Sequence, residues 1–151
     1  SLIVFSAEFD KVLAAFILAN GALSAGKEVN LFFTFWGLNV LKKDGPVGKK
    51  DFMSRMFAAM MPKNSKKLEM SKMHMAGIGT NMMRKRMKDN NIESLETMIE
   101  NAIDGGANLT ACQMSMDMMG VNREELIDGV EIGGVASFME SASKTNMNMF
   151  V

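Results

Sequence analysis

The chain has 151 residues, 18 methionines, a single cysteine and a formal net charge of zero. This length is typical of one domain that buries about two-thirds of the surface its unfolded chain would expose. A single cysteine excludes an intramolecular disulfide and therefore a disulfide-stapled secreted fold, so we expect a reducing, cytoplasmic setting. The sequence opens in an apolar run without a charged segment or a cleavage site, and we expect no signal peptide.

The charges are unevenly distributed along the chain. Residues 42–88 contain 13 basic and three acidic side chains, near +10, whereas the remainder contains four basic and 14 acidic ones, near −10. Ten of the 18 methionines also fall in this segment. Three interpretations remain open: a solvated basic surface, a peripheral contact with an anionic membrane through residues 42–90, or a docking surface for an acidic partner. We favour the docking surface, because solvation does not explain the methionines and no run reaches the roughly 18 apolar residues of a membrane span.

Hydrophobic periodicity predicts strands that alternate with helices. The predicted strands are 2–7, 29–35, 107–111, 130–132 and 147–151. The predicted helices are 8–25, 51–61, 68–75, 81–90, one that begins at Ser94, 113–119, 124–128 and 135–144, with loops at 42–50 and 63–67 and a break at 77–80. This alternation predicts an α/β fold with a doubly wound, mainly parallel five-stranded sheet. We expect a single domain over residues 1–151, with a helical Met/Lys-rich insertion at about 42–90 that lies outside the core.

Cys112 lies where the pattern changes from extended to helical. A predicted strand ends just before it, and strong helix formers follow until Gly120. At such a junction the unpaired first-turn N–H groups of the helix favour a thiolate, and α/β sheets bind ligands at this edge. The alternative is that Cys112 is a small buried hydrophobe, because free cysteine is among the most buried residue types.

Two neighbouring strand ends are expected to lie on the same rim as Cys112. One-handed crossovers place residues 6–8, 35–37 and 111–113 at the same edge of a parallel sheet. We predict that the pocket of Cys112 is formed by Ser6, Trp36, Gly37, Gln113, Met114 and Ser115. The alternative for Trp36 is that it simply caps the core beside a glycine turn.

Other chemical motifs are incomplete. Gly77 and Gly79 have no preceding strand and fail the dinucleotide fingerprint, and no phosphate-binding loop is present, which disfavours nicotinamide-dependent and kinase-like enzymes. The only histidine, His74, cannot build a zinc site with one distant cysteine, so we expect no metal and no cofactor. A Cys112–His74 dyad would require the insertion to fold back over the site. Asp117 is interpreted as a solvated or helix-packing residue. We expect no nucleic-acid partner.

Four stretches resemble one known family. They are Ala14-Ala15-Phe16-Ile17, the run FFTFWGL at 32–38, the run ACQMSMDMMG at 111–120 and the run REELIDGVEIGGV at 123–135. In this order the chain resembles the DsrE/DsrF/DsrH-like family, specifically its DsrE2-type branch, over essentially its whole length. The resemblance implies a DsrE-like, flavodoxin-like fold and a sulfur-relay protein that carries a persulfide at the position of Cys112.

The resemblance also implies a homo-oligomer whose partners are sulfur donor and acceptor proteins, such as rhodanese-like or TusA-like carriers. We therefore predict a sulfur carrier or sulfurtransferase accessory protein. The alternative is a non-catalytic binding or scaffold module with a structural cysteine, associated with a membrane surface through the basic segment. A thiol oxidoreductase is a weaker alternative, since the chain has no second cysteine to resolve a mixed disulfide.

Overall fold

A single parallel sheet forms the centre of the molecule, in a computed structural model that describes residues 1–45 and 51–151. Its strands are β1 (Leu2–Val4), β2 (Asn30–Phe33), β3 (Asn108–Cys112), β4 (Val130–Gly133) and β5 (Met149–Phe150). They pair in parallel in the order β4-β3-β2-β1-β5. Because the strands run in the same direction, their carboxyl ends meet at one rim, which we call the carboxyl rim.

The helices connect these strands. They are α1 (Phe9–Ser24), α2 (Phe52–Met60), α3 (Ile78–Asp89), α4 (Leu95–Asp104), α5 (Gln113–Met119) and α6 (Val135–Ser143). Short 3₁₀ helices cover Phe35–Leu41, Ser65–Lys67, Met75–Gly77 and Arg123–Glu125. Helix starts follow local chemistry: the Ser94 side chain accepts from the N–H of Thr97 at 3.1 Å, and Asn122 forms a capping box with Glu125.

The two faces of the sheet are covered unequally. Leu31 and Phe33 of β2 point into a large core that also contains buried side chains of α1, α4 and α5. The intervening Phe32 points to the opposite face, where its buried partners are Cys112 and, from α6, Phe138 and Ala142. Helices therefore cover both faces, which confirms the doubly wound α/β prediction.

Several predicted boundaries differ from the structure around the second strand. The predicted strand 29–35 ends at Phe33, and the chain enters a 3₁₀ helix at Phe35. The φ angle of Phe35 is +47°, a left-handed conformation that strands do not contain and that is rare for a bulky residue. The predicted loop at 42–50 extends over residues 46–50, which lie outside the described residues.

The predicted elements between 63 and 90 also need correction. Residues 68–74 are not helical. Leu68 is buried in the main core, and Glu69 forms a parallel bridge with Glu8. The predicted break at 77–80 is wrong for residues 78–80, because α3 already begins at Ile78. Its N-cap is Gly77, which has a φ of +90°. The predicted polar loop at 63–67 contains a 3₁₀ turn, and the predicted helix at 124–128 is reduced to the 3₁₀ turn at 123–125.

The basic segment is partly integrated into the core. Met61, Leu68 and Met87 are buried in the main core, so the expectation that this segment lies outside the core is wrong for these side chains. The Arg84 guanidinium lies 4.6 Å from the ring centroid of Phe9 in α1 and donates to Glu96 of α4 at 2.9 and 3.2 Å. These contacts tie α3 to both neighbouring helices.

In contrast, α2 is only loosely covered. This helix lies wholly within the described residues and contains no buried side chain. We define the α2 surface as its exposed apolar residues Phe52, Met53, Met56 and Met60. Across residues 1–45 and 51–151, no helix is both long enough and apolar enough to cross a membrane.

The Arg84–Glu96 pair predicts a pH-dependent contribution to stability. Burial is the largest single influence on Glu96 and opposes its ionisation. The hydrogen bonds and charge of Arg84, together with hydrogen bonds from the Glu96 backbone and from Ser65, outweigh burial and lower the pKa of the carboxyl. Because the folded-state pKa is lowered, the stabilisation is present above the unfolded value of about 4.3 and is lost as the pH falls through the folded-state pKa. We expect Glu96→Gln to lower the free energy of unfolding by about 1–2 kcal/mol at pH 7, measured by urea denaturation, and by less at pH 3.

The control variant is Glu100→Gln, which changes an exposed carboxylate on the same helix. It should leave the free energy of unfolding almost unchanged. An equal loss for both variants, or a Glu96→Gln effect that does not shrink in acid, would contradict the proposed pairing.

Candidate functional site

The candidate site lies where β3 and β4 end side by side. Cys112 is the last residue of β3 and pairs with Gly133, the last residue of β4. From this pair the chain leaves in two directions, because α5 packs into the main core and α6 packs on the opposite face. In open parallel sheets, ligands bind in the crevice where the connections of adjacent strands diverge to opposite faces. Cys112 therefore lies at this topological switch point.

The thiol of Cys112 is covered by α6. The residue is only 2% exposed, and it packs with Phe32, Phe138 and Ala142. The rings of Phe32 and Phe138 stack with centroids 4.7 Å apart and an interplanar angle of 23°. The predicted strand–helix junction is present, together with the burial that the structural-cysteine hypothesis expects.

Two helices begin at this crevice. Cys112 is the N-cap residue of α5, and Gly134 is the N-cap residue of α6. Among the described residues neither cap position has a side-chain hydrogen bond that satisfies the first-turn N–H groups. The partial positive charge at both helix starts favours an anion near the crevice, although the short length of α5 limits its contribution.

The first turn of α5 supplies three of the predicted pocket residues. Ser115 is buried, and its Oγ lies 2.8 Å from Oγ1 of Thr34, which follows β2. Gln113 and Met114 are exposed, and the Gln113 side chain donates to Asp117 at 2.8 Å. The Thr34–Ser115 hydrogen bond fixes the start of α5 against the neighbouring strand end.

The other predicted pocket residues lie in a different place on the carboxyl rim. Ser6 donates to Glu8 at 2.8 Å and, together with the half-exposed Trp36, lines an open cleft of ≈ 790 Å³ at the ends of β1 and β5. Cys112 is not part of the wall of this cleft. Gly37 packs on β1, where an added Cβ would lie 2.1 Å from the Val4 carbonyl oxygen. The structure therefore places Ser6 and Trp36 in a cleft at the ends of β1 and β5, and a contribution of these three residues to a pocket around Cys112 stays a prediction.

No Cys112–His74 dyad forms. His74 Nε2 lies 3.3 Å from Glu69 Oε1, and Nδ1 has no hydrogen-bond partner among the described residues. Within residues 1–45 and 51–151, no group of three or more His, Cys, Asp or Glu side chains could hold a metal ion.

The residues that cover the thiol were missed by sequence reasoning. Phe32 lies between Leu31 and Phe33 in a continuous apolar run, so its position on the opposite face could have been inferred from strand alternation. Phe138 and Ala142 carry no such signal, because their contact with Cys112 depends on the crossing of α6 over the second face.

Comparisons with known proteins agree with this architecture. The sequence model of the DsrE/DsrF/DrsH-like family matches residues 1–150. The chain is 41% identical over 153 residues to the uncharacterized protein YrkE of Bacillus subtilis, covering 100% of this chain and 95% of that protein. It is 33% identical over 156 residues to the sulfur carrier protein DsrE2 of Allochromatium vinosum, covering 100% of this chain and 96% of that protein. The crystal structure of the ychN protein from E. coli superposes with a TM-score of 0.57 at 14% identity, covering 99% of this chain and 97% of that chain, and supports the fold alone.

The cover over Cys112 predicts how the thiol becomes accessible. Phe138→Ala removes the ring that stacks on Phe32, so local opening of α6 should become easier by at least about 1.4 kcal/mol, or tenfold in population. We expect the iodoacetamide alkylation rate of Cys112 in the folded protein to rise by about that factor.

Two variants separate local opening from general destabilisation. Met139→Ala changes an exposed residue of α6 and should not affect the alkylation rate. Ile99→Ala destabilises the main core on the other face of the sheet. For the same loss of unfolding free energy, it should accelerate alkylation less than Phe138→Ala does. An unchanged rate for Phe138→Ala would show that α6 does not control access.

Proposed function

We propose a sulfur-carrier function from the premise that the chain belongs to the DsrE/DsrF/DrsH-like family. A sulfur-relay role accords with its similarity to the DsrE2 sulfur carrier. In our proposal, Cys112 accepts sulfane sulfur from a donor, holds it as a persulfide and passes it to an acceptor thiol. The observation that carries the proposal is the position of Cys112 at the carboxyl end of β3, where the connections after β3 and β4 leave toward opposite faces of the sheet.

The proposed transfer is an exchange between sulfur atoms. The Cys112 thiolate attacks the outer sulfur of a donor persulfide, a new S–S bond forms, and the donor S–S bond breaks with its electron pair leaving on the donor thiolate. In the second step the acceptor thiolate attacks the outer sulfur on Cys112 and releases the Cys112 thiolate. The sulfane sulfur changes carrier, and the cycle requires no net oxidant or reductant.

Several features of the site support this chemistry. Helices α5 and α6 both begin at this end of the sheet, and their first-turn N–H groups offer partial positive charge to a negatively charged sulfur species. The chain has no second cysteine, so the loaded sulfur cannot be lost to an internal disulfide. Burial under Phe138 excludes water and small thiols from the persulfide until α6 opens.

The proposed partners are acidic sulfur donor and acceptor proteins. Helix α2, which carries the α2 surface, lies close to the end of α5. A Cβ added to Gly120 would lie 2.3 Å from the Cβ of Ser54 in α2. Flexible methionines give an adaptable apolar contact, and the surrounding basic charge attracts an acidic partner. We further propose that the protein works as a homo-oligomer in the cytoplasm, where the thiol stays reduced. Residues 42–90 would act as the partner-docking insertion of one domain.

The second candidate is a binding or scaffold module with a structural cysteine. The 2% exposure of Cys112 and its contacts with Phe32 and Phe138 favour this function, because a small apolar side chain would pack there equally well. The two candidates differ in the chemical reactivity of the folded protein.

Mass spectrometry of the loaded protein tests the proposal. After incubation with polysulfide we expect an added mass of about 32 Da, one sulfur atom, on the peptide that contains Cys112. Cys112→Ser should show no adduct and should retain its fold by circular dichroism, since serine is nearly isosteric. Two results together would favour the structural cysteine. The folded protein would take up no sulfur, and its alkylation rate at pH 7 would not exceed that of the unfolded chain in urea, however far α6 is opened.

The α2 surface predicts a difference between protein and small-molecule donors. We expect Met56→Gln/Met60→Gln to slow uptake from a persulfidated rhodanese-domain protein by roughly fivefold, equivalent to about 1 kcal/mol of lost contact, while uptake from polysulfide stays unchanged. Met147→Gln changes an exposed methionine outside this surface and serves as the control. Equal rates for all three proteins with the protein donor would remove the α2 surface from the docking site.

A further inference from the structure

Residues 70–80 form a closed loop with His74 at its centre. The Met70 N–H donates to Oγ1 of Thr80 at 3.2 Å and closes the two ends of the loop. Inside the loop, the His74 carbonyl accepts from the N–H groups of Gly77 and Gly79 at 2.9 and 3.3 Å. Gly79 packs directly on the chain before His74, because an added Cβ would lie 1.9 Å from the Met73 carbonyl oxygen. These contacts hold the backbone of His74 in a defined position.

The residues around His74 are strained. Met73, Met75 and Ala76 have φ angles of +58°, +41° and +55°, although none of them is glycine. Such left-handed conformations are costly for residues with a Cβ and persist only where the surrounding structure enforces them. The loop therefore maintains an unfavourable backbone around a single imidazole, which calls for a reason beyond chain connection.

The two ring nitrogens of His74 have different surroundings. Nε2 lies 3.3 Å from the Glu69 carboxylate, a contact that favours the tautomer with its proton on Nε2. Nδ1 then presents a lone pair, and it is buried without a hydrogen-bond partner among the described residues. A buried nitrogen without a partner calls for an explanation, and an imidazole that donates its other N–H to a carboxylate is the usual arrangement of a metal-ligating histidine.

The side chains adjacent to His74 are soft sulfur donors. Met73 and Met75 are 73% and 66% exposed, so core packing does not explain them. Thioethers select Cu(I) among the biological metals, and imidazole is a suitable additional ligand for it. We propose that His74 Nδ1, together with the thioether sulfurs of Met73 and Met75, forms a Cu(I) site.

The donor set argues for a soft monovalent ion rather than zinc. Zinc prefers a tetrahedral set of thiolate, imidazole and carboxylate ligands, whereas this loop offers one imidazole and neutral thioethers. The site uses neither Cys112 nor the crevice between β3 and β4, so it is independent of the proposed sulfur transfer.

The test is a competition titration in the Cys112→Ser background, which removes the one thiolate that would bind Cu(I) on its own. The full-length protein is titrated anaerobically, with ascorbate to keep copper reduced, against the Cu(I)–bicinchoninate complex. The readouts are the loss of colour of that complex and the NMR shifts of ¹³C-labelled methionine methyl groups. We expect one Cu(I) to transfer to the protein, with the methyl signals of Met73 and Met75 shifting.

Substitutions identify the ligands. His74→Gln keeps a hydrogen-bond donor for Glu69 but lacks Nδ1. It should weaken Cu(I) binding by at least about tenfold, because loss of a partner that only supports a metal ligand already costs about that factor. Met73→Leu/Met75→Leu preserves side-chain volume and should weaken binding by a similar factor. The matched control, Met53→Leu/Met60→Leu, changes two exposed methionines of the α2 surface and should bind as the parent does.

Three results of the titrations with copper alone would overturn the proposal. They are the absence of competition by the Cys112→Ser protein, unchanged affinity in His74→Gln, and equal weakening by the control pair, which would indicate unspecific binding to exposed thioethers. Displacement of Cu(I) by an equimolar amount of Zn²⁺ would likewise exclude the soft donor set. Because every measurement lacks the Cys112 thiol, failure here leaves the sulfur-carrier proposal unaffected.

Discussion

The parallel pairing of β3 with β4 is the constraint on which the rest of the site depends. It places Cys112 beside Gly133, and the next segments of chain must leave this point in opposite directions because α5 and α6 cover different faces. In open parallel sheets, ligands bind at points where neighbouring connections diverge in this way. The small residues Gly133 and Gly134 let α6 begin directly at that rim, so the helix that closes the second face is also the helix that covers the thiol.

Burial of Cys112 has a consequence for the proposed persulfide chemistry. A persulfide exposed to solvent reacts with any small thiol, whereas a persulfide held under Phe138 would react only when α6 opened. The cover is thin, since α6 buries only Phe138 and Ala142, in contrast to the extensive core on the other face. The same burial would also suit an inert packing residue, so reactivity of the folded state, and not location, separates the two functions.

Most of the fold could be predicted because its signals are local. Continuous apolar runs mark the strands, helical periodicity marks α1 and α4, and Asn122 with Glu125 marks a turn. The errors arise where tertiary contacts override local preference: Phe35 turns left-handed after β2, Gly77 starts α3 instead of interrupting it, and Leu68 enters the core from a polar stretch. Within the site, the position of Cys112 followed from the change in periodicity. The contact of Phe138 with Cys112 did not, because the crossing of α6 over the second face decides which side chains cover the thiol.

The basic segment has two sides with different physical roles. On its inner side Met61, Leu68 and Met87 complete the main core, and Arg84 joins α3 to Phe9 and Glu96. On its outer side the α2 surface and the methionines around His74 remain uncovered. Removing the whole segment would expose part of the main core and leave Glu96 without its cation, so the resulting loss of binding would report unfolding as well as lost contact. Substitutions confined to exposed side chains avoid this ambiguity, because they change the outer surface while the inner contacts, and with them the position of Cys112, are preserved.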